Sequence, residues 1–210
     1  MKYDLAIFDF DGTLADSLPF LVSVVNTLAR KHDFQPIDLR EIEKLRAYDA
    51  MKLFHHVGLP LWKMPLVGRS YQALMAKSVA SVPLFPGVDE LLRGLAASGI
   101  TTGLVTSNSE AIVRQVLGEK NMALIAHFHC GVSMFGKRHK LHEVLRKAHC
   151  HRSRAIYIGD EARDLEAARS EHIAFGAVSW GFNSVESLVA LSPQEVFMRV
   201  EDIVPRLAGS

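Results

Sequence analysis

An α/β fold, with a parallel sheet covered by helices on both faces and an all-helical segment inserted after its first strand, is predicted by three observations. Five short apolar runs of the kind that form buried parallel strands recur along the 210 residues. Between them lie stretches with apolar residues at i, i+3 and i+4, the period of helices that cover a sheet. Residues 15–84 carry helix signals but no strand alternation.

Taken in order, the first run is Leu5-Ala6-Ile7-Phe8, which ends in acids and a glycine. Ser17 is placed to cap a helix with Pro19 in its first turn and Phe20, Leu21, Val24, Val25 and Leu28 on one side. Asp38 with Glu41 resembles a capping box, and Asp49 and Gly58 bracket another short helix. Pro83 and Pro86-Gly87 close this segment as a hinge or linker. A stripe of Val88, Leu91, Leu92 and Leu95 then predicts a helix stopped by Gly99. The remaining strands are expected at Thr102 to Thr106, Ala126 to Val132, Ala155 to Ile158 and Ile173 to Val178. Val113, Val116 and Leu117 line one intervening helix. Leu141, Val144 and Leu145 line another, a stripe that starts just after the basic stretch Lys137-Arg138-His139-Lys140.

Composition narrows the classes of function. With 24 Lys+Arg against 23 Asp+Glu, and no long run of one sign, a mainly electrostatic grip on nucleic acid is not expected. No apolar run approaches the ~20 residues of a membrane span, so no membrane partner is expected. Two cysteines, Cys130 and Cys150, are too few for a disulfide framework and fit a reducing compartment, so a cytoplasmic location is expected. The inserted segment holds nine basic and six acidic residues, leaving the remainder slightly acidic. A basic lid over an acidic core suits an anionic substrate held with a cation.

The chemistry concentrates at strand ends. In Asp9-Phe10-Asp11-Gly12-Thr13-Leu14 two carboxylates two residues apart follow the first strand, where open α/β sheets bind ligands. Like charges so close call for a cation between them, and a hard divalent ion such as Mg²⁺ answers that need. Ile158-Gly159-Asp160-Glu161-Ala162-Arg163-Asp164 repeats the design, although acids at a helix N-terminus also serve the macrodipole. Thr106-Ser107-Asn108 ends another strand with three polar side chains suited to phosphate oxygens or to a plain N-cap. Lys137 offers a compact positive charge.

These segments together resemble the haloacid dehalogenase-like hydrolase superfamily, within it the phosphoglycolate-phosphatase-like branch. The first motif is matched by Asp9 to Leu14, the second by Thr106, the lysine motif by Lys137, and the Gly-Asp-x-x-x-Asp motif by Gly159, Asp160 and Asp164. Leu84-Phe85-Pro86-Gly87-Val88 and Ser179-Trp180-Gly181-Phe182 extend the likeness over essentially the whole chain. The resemblance implies a Rossmann-like catalytic core of residues 1–14 and 85–210 and a helical cap domain of residues 15–84. It further implies Mg²⁺-dependent hydrolysis of a small phosphorylated metabolite, phosphoglycolate-like, through an aspartyl-phosphate, by a monomer or homodimer. Asp9 would attack phosphorus, and Asp11 would protonate the leaving oxygen and later activate water. Asp9, the Asp11 carbonyl and Asp160 would hold Mg²⁺, with Asp164 orienting water on the ion. Thr106 and Lys137 would bind the transferring phosphoryl group, with Ser107 and Asn108 beside them.

Several alternatives stay open at this level. Lys140 competes with Lys137, because the prolines that usually follow the lysine motif are replaced by Arg138-His139-Lys140; the 23-residue interval to Asp160 favours Lys137. Glu161 stands where many relatives carry a small polar residue. Arg46, His55, His56, Lys63 and Arg69 are candidates for contact with an anion from the inserted segment. A sugar-phosphate phosphomutase shares every motif named. A non-catalytic metal-binding module would instead use the His127-Phe128-His129-Cys130 and His149-Cys150-His151 segments, which contain zinc-type ligands.

Overall fold

A computed structural model describes residues 2–133 and 136–209 of the chain. Six parallel strands form one sheet: β1 (Leu5–Phe8), β2 (Thr101–Val105), β3 (His127–His129), β4 (Ala155–Gly159), β5 (Ala174–Val178) and β6 (Glu195–Phe197), in the order β3-β2-β1-β4-β5-β6. The chain winds outward from β1 in one direction through β2 and β3 and in the other through β4 to β6. The topological switch therefore lies between β1 and β4, the place where open α/β sheets bind ligands beyond their strand ends.

Between β1 and β2 lie five helices: α1 (Leu18–His32), α2 (Ile42–Leu45), α3 (Ala50–His56), α4 (Met64–Lys77) and α5 (Val88–Ala97). The rest are α6 (Glu110–Met122), α7 (Lys137–Lys147), α8 (Ala162–Ser170), α9 (Val185–Val189) and α10 (Ile203–Ala208). Because successive strand residues point to opposite faces, Ala6 and Phe8 of β1 join one core with α5, α6 and α10, built on Leu92, Leu95, Val113, Ile203 and Leu207. Leu5 and Ile7 join a second core with α7, α8 and α9, built on Leu141, Val144, Leu165 and Leu188. Both faces of the sheet are thus dry, which is why its strands read as continuous apolar runs rather than alternating ones.

Among the described residues, 16–83 contain helices and no sheet strand. Its two connections to the sheet lie side by side: the Asp16 N–H donates to the Pro83 carbonyl at 2.8 Å, the Phe85 N–H to the Leu14 carbonyl at 2.9 Å, and Ala15 pairs with Leu84 in an antiparallel bridge. Within the segment α1 packs on α4, with the Phe20 and Tyr71 rings 5.7 Å apart. Among the described residues, no helix is long and apolar enough to cross a membrane.

Several expectations are corrected. The sixth strand was not foreseen; it is three residues long and has no apolar run, yet it pairs with β5 from Gly176↔Glu195 to Val178↔Phe197. The third strand is shorter than 126–132, because Gly131 turns the chain at φ +66°. α7 starts at Lys137, so the basic stretch forms its first turn ahead of the apolar stripe. Ser17 precedes α1 but makes no capping bond, and Asp38 accepts from the Arg40 N–H instead of forming a box with Glu41. Asp49 and Gly58 do bracket α3, with the Asp49 carboxylate accepting from the Lys52 N–H at 2.8 Å and Gly58 at φ +65°.

Phe197 is fully buried at the sheet's edge, with its ring over Gly176, where a Cβ would come within 2.6 Å of it. Phe197→Ala is expected to lower the unfolding free energy by about 3–5 kcal/mol in urea titration.

Candidate active site

Three strands and two helices deliver the polar groups to the switch point. The Asp9 N–H donates to the Ile158 carbonyl at 2.9 Å, the last rung of the β1–β4 ladder, so Asp9 leaves β1 facing the end of β4. The chain then folds into a tight turn in which the Leu14 and Ala15 N–H groups both donate to the Phe10 carbonyl at 2.9 Å. Gly12 sits in this turn at φ +73°, and a Cβ there would lie 2.2 Å from Asp160 Oδ2. On the opposite side, a Cβ on Gly181 would lie 2.0 Å from Asp160 Cβ. Asp160 therefore occupies a slot that only two glycines leave open. Both of its oxygens are engaged: Oδ1 accepts from Thr13 Oγ1 at 2.8 Å and Oδ2 from the Phe182 N–H at 2.7 Å.

Asp164 lies in the first turn of α8, with Oδ2 accepting from the Glu161 N–H at 3.3 Å and Oδ1 from the Tyr157 hydroxyl at 3.2 Å. Lys137, the first residue of α7, places Nζ 2.6 Å from both Asp9 Oδ2 and Asp164 Oδ1 and is 2% exposed. Basic residues in a first turn oppose the helix macrodipole; the two carboxylates offset that cost and explain why α7 begins one turn earlier than its apolar stripe. Lys140 instead pairs with Glu143 at 2.9 Å.

Thr106, fully buried after β2, accepts from the Asn108 N–H at 3.0 Å through Oγ1. Asn108 donates its amide to Asp11 Oδ2 at 3.0 Å and to Met75 Sδ at 3.2 Å. The Ser107 carbonyl accepts from Gln72 Nε2 at 2.9 Å. Asn108 thus holds the Asp11 carboxylate, while Gln72 and Met75 bring α4 against the loop after β2. Neither α4 residue was a sequence candidate, because an uncharged amide and a thioether on a helix carry no distinguishing pattern.

The other candidates from the inserted segment lie elsewhere. Arg46 donates to the Gly181 and Phe182 carbonyls at 2.9 and 3.2 Å, and so clasps the loop that holds Asp160. Lys63 donates to the His32 carbonyl at 2.8 Å, and His55, His56 and Arg69 are exposed. Trp180 lies against Phe85 and donates its indole N–H to the Thr13 carbonyl at 3.1 Å. Residues that the sequence reading did not single out are Thr13 and Tyr157, which bond to acids of the site, and Arg163, which pairs with Glu161.

Electrostatics mark the same place. Burial pushes the Asp9 carboxyl up to about 7, with Lys137 working against the shift and Asp164 adding to it. Burial, followed by Glu161, Asp9 and Asp164, pushes Asp160 well above the usual carboxylate range. Burial also raises Asp11, moderated by Ser17 and Asn108. Lys137 is raised: burial opposes its charge, but Asp164 and Asp9 outweigh it. The upward shifts on all three acids come first from burial, which disfavours their charged forms.

Asp9, Asp160 and Asp164 offer oxygens that all lie within 4.8 Å of one another, a donor set that fits a hard divalent cation. The Asp11 carboxylate, turned to Asn108, lies outside this group. Among the described residues, the His and Cys segments bring no such set together.

A family model described as haloacid dehalogenase-like hydrolase matches residues 6–178. A phosphoglycolate phosphatase from Synechococcus elongatus is 33% identical over 199 residues, covering 94% of each chain. Phosphoglycolate phosphatase 1 from Pseudomonas aeruginosa is 23% identical over 96% of this chain and 78% of its own. Among solved structures, a predicted phosphatase from Clostridium acetobutylicum superposes with TM-score 0.81 at 21% identity, covering 99% of both chains. A haloacid dehalogenase-like family hydrolase from Streptococcus pneumoniae superposes with TM-score 0.78 at 20% identity over 98% of both. With its acidic strand ends at the β1–β4 switch and these matches along nearly its full length, the chain belongs to the haloacid dehalogenase-like hydrolase family, in its phosphoglycolate-phosphatase-like branch.

Proposed function

We propose that the protein is a Mg²⁺-dependent phosphatase that hydrolyses a small phosphomonoester, phosphoglycolate or a close analogue, through an aspartyl-phosphate on Asp9. One observation carries this reading: two carboxylates from the same turn stand in different environments, Asp9 against Lys137 Nζ and Asp11 against the Asn108 amide. Environments that separate two acids assign them separate tasks.

Asp9 attacks phosphorus through a carboxylate oxygen. The bond to the ester oxygen breaks as Asp11, whose hold on a proton burial strengthens, donates a proton to the leaving alkoxide. The second displacement reverses the roles: Asp11, now ionised, takes a proton from the attacking water, and phosphate leaves Asp9. Splitting hydrolysis in two lets one acid serve both halves. Thr106 and Lys137 bind the phosphoryl oxygens, Lys137 supplying charge where it accumulates in the transition state. The barrier to be removed for a phosphate monoester is on the order of 25 kcal/mol, far beyond what one proton transfer supplies. Asp9, the Asp11 carbonyl and Asp160 would hold Mg²⁺, with Asp164 beside them; when bound, the ion neutralises charge on the phosphoryl group.

Residues 15–84 act as a cap over a core of residues 1–14 and 85–210. Gln72 and Met75 support this role, because they reach Ser107 and Asn108 at the mouth of the site. The two free cysteines support a reducing, cytoplasmic setting.

Phosphate release from a panel of small phosphomonoesters tests the reaction. Wild type is expected to release phosphate only with Mg²⁺, Asp9→Asn to release none, and Asp11→Asn to turn over about 10²–10⁴-fold more slowly. Conversion of a sugar phosphate to its isomer without free phosphate would instead make the protein a mutase. A separate thermal measurement tests the cation site. Saturation with Mg²⁺ at about a hundredfold over Kd is expected to add about 2.7 kcal/mol, roughly 5–10 °C in Tm for a chain of this size. The rise should disappear in Asp160→Asn and on chelation.

A further inference from the structure

Asn183 lies in the loop after β5, is 8% exposed, and divides its N–H and its side-chain amide between two parts of the chain. Its backbone N–H donates to the Asp160 carbonyl at 3.2 Å, and its Oδ1 accepts from the Ala162 N–H at 2.9 Å, where α8 begins. Its Nδ2 donates to the Arg46 carbonyl at 3.0 Å and to the Tyr48 carbonyl at 2.8 Å, both in the helical segment. Only an amide side chain joins an acceptor to two donors on one planar group. The partners, an N–H on one side and two carbonyls on the other, fix which end of the amide faces which.

The residues beside Asn183 are divided in the same way. The Phe182 N–H donates to Asp160 Oδ2 at 2.7 Å, while the Phe182 carbonyl accepts from Arg46 Nε at 3.2 Å. Gly181 packs so closely on Asp160 that a Cβ would lie 2.0 Å from Asp160 Cβ, while the Gly181 carbonyl accepts from Arg46 Nη2 at 2.9 Å. The Ser184 N–H also donates to the Arg46 carbonyl, at 2.9 Å. Residues 181, 182 and 183 therefore each touch Asp160 on one side and residues 46–48 on the other. A clasp that only fastened the helical segment could close on any part of the core. This one closes on the residues that hold an oxygen donor of the cation site in place. Groups that orient a metal ligand without touching the metal change the affinity for it.

We propose that Asn183 is a positioning residue for the cation site, and that through it the seating of residues 46–48 on the loop strengthens binding of a divalent cation at Asp9, Asp160 and Asp164. The inference rests on the cation site in the reading above. The effect is reciprocal: whatever free energy the seated segment lends to cation binding, the bound cation lends to the seating. The helical segment thereby acts on the core at a second place, apart from the contact of Gln72 and Met75 with the loop after β2.

The test is calorimetric titration of Mg²⁺ into the full chain without substrate, at a temperature where circular dichroism shows each variant to be folded. Asn183→Ala is expected to bind Mg²⁺ about tenfold more weakly than wild type. Arg46→Met leaves Asn183 in place but takes the guanidinium off the loop, and is expected to weaken Mg²⁺ binding by a smaller factor. Arg46→Lys, which still offers a donor to a carbonyl, is expected to recover part of that loss. The double variant Arg46→Met/Asn183→Ala is expected to lose less than the product of the two single losses, because both act through one loop. Wild-type Mg²⁺ affinity in either folded single variant, whatever the fall in Tm, would overturn the inference and leave the clasp as a fastening alone. If Asn183→Ala does not fold, Arg46→Met decides by itself. A wild type that binds no Mg²⁺ would remove the cation site, and this inference with it.

Discussion

Lys137 Nζ lies 2.6 Å from a carboxylate at the end of β1 and 2.6 Å from another at the start of α8, and the rest of the site is arranged around that bridge. Burying ions of one sign is so unfavourable that a fold brings them together only where opposite charge is supplied in the same place. The bridge dictates local structure against ordinary preference. It draws α7 to begin on a lysine, against the macrodipole, and it requires β1 and β4 to be neighbours so that Asp9 and Asp164 fall within one ammonium's reach. A parallel sheet that winds outward from its first strand in both directions meets this requirement at its switch point. Chemistry and topology are thus one constraint here rather than two.

Much of this was legible in the chain before any coordinates. Leu5–Phe8 reads as a doubly buried strand because both of its faces are dry, and the acids that follow it read as a site because two carboxylates so close at a strand end call for a cation, although Asp-Gly after a strand is also a turn signal. What escaped the sequence did so for physical reasons. β6 takes its identity from pairing with β5 and from one ring over Gly176, not from a pattern of its own. Ser17 has the residue type of a cap, but the turn from Phe10 to Ala15 delivers it in a helical conformation, and its hydroxyl is left beside Asp11 instead. Residue type did not separate Lys137 from Lys140, and the interval to Asp160 favoured Lys137; in the structure only Lys137 reaches the acids while Lys140 turns to Glu143. Gln72 and Met75 could be found only once the helical segment was seen to lie against the loop after β2.

The loop from Trp180 to Asn183 shows how little of the site is autonomous. It gives a backbone N–H to Asp160, packs Gly181 against the same side chain, and lends two carbonyls to Arg46 from the helical segment. Asn183 answers by donating its amide to the Arg46 and Tyr48 carbonyls at 3.0 and 2.8 Å. One short loop therefore touches both Asp160 of the metal-type donor set and the helical segment, so that movement of either is felt by the other.

The bridge between Ala15 and Leu84 sets the two points at which the helical segment leaves and rejoins the sheet about 5 Å apart. Seen from the sheet, nearly a third of the chain is then equivalent to a tight turn. Its length, and the number of helices in it, impose nothing on the register of β1 against its neighbours. Such a doorway lets recombination exchange the whole segment for another of different size without reopening the strand ends. A lineage can in this way keep the strand ends unchanged while it trades the helical segment that lies beside them.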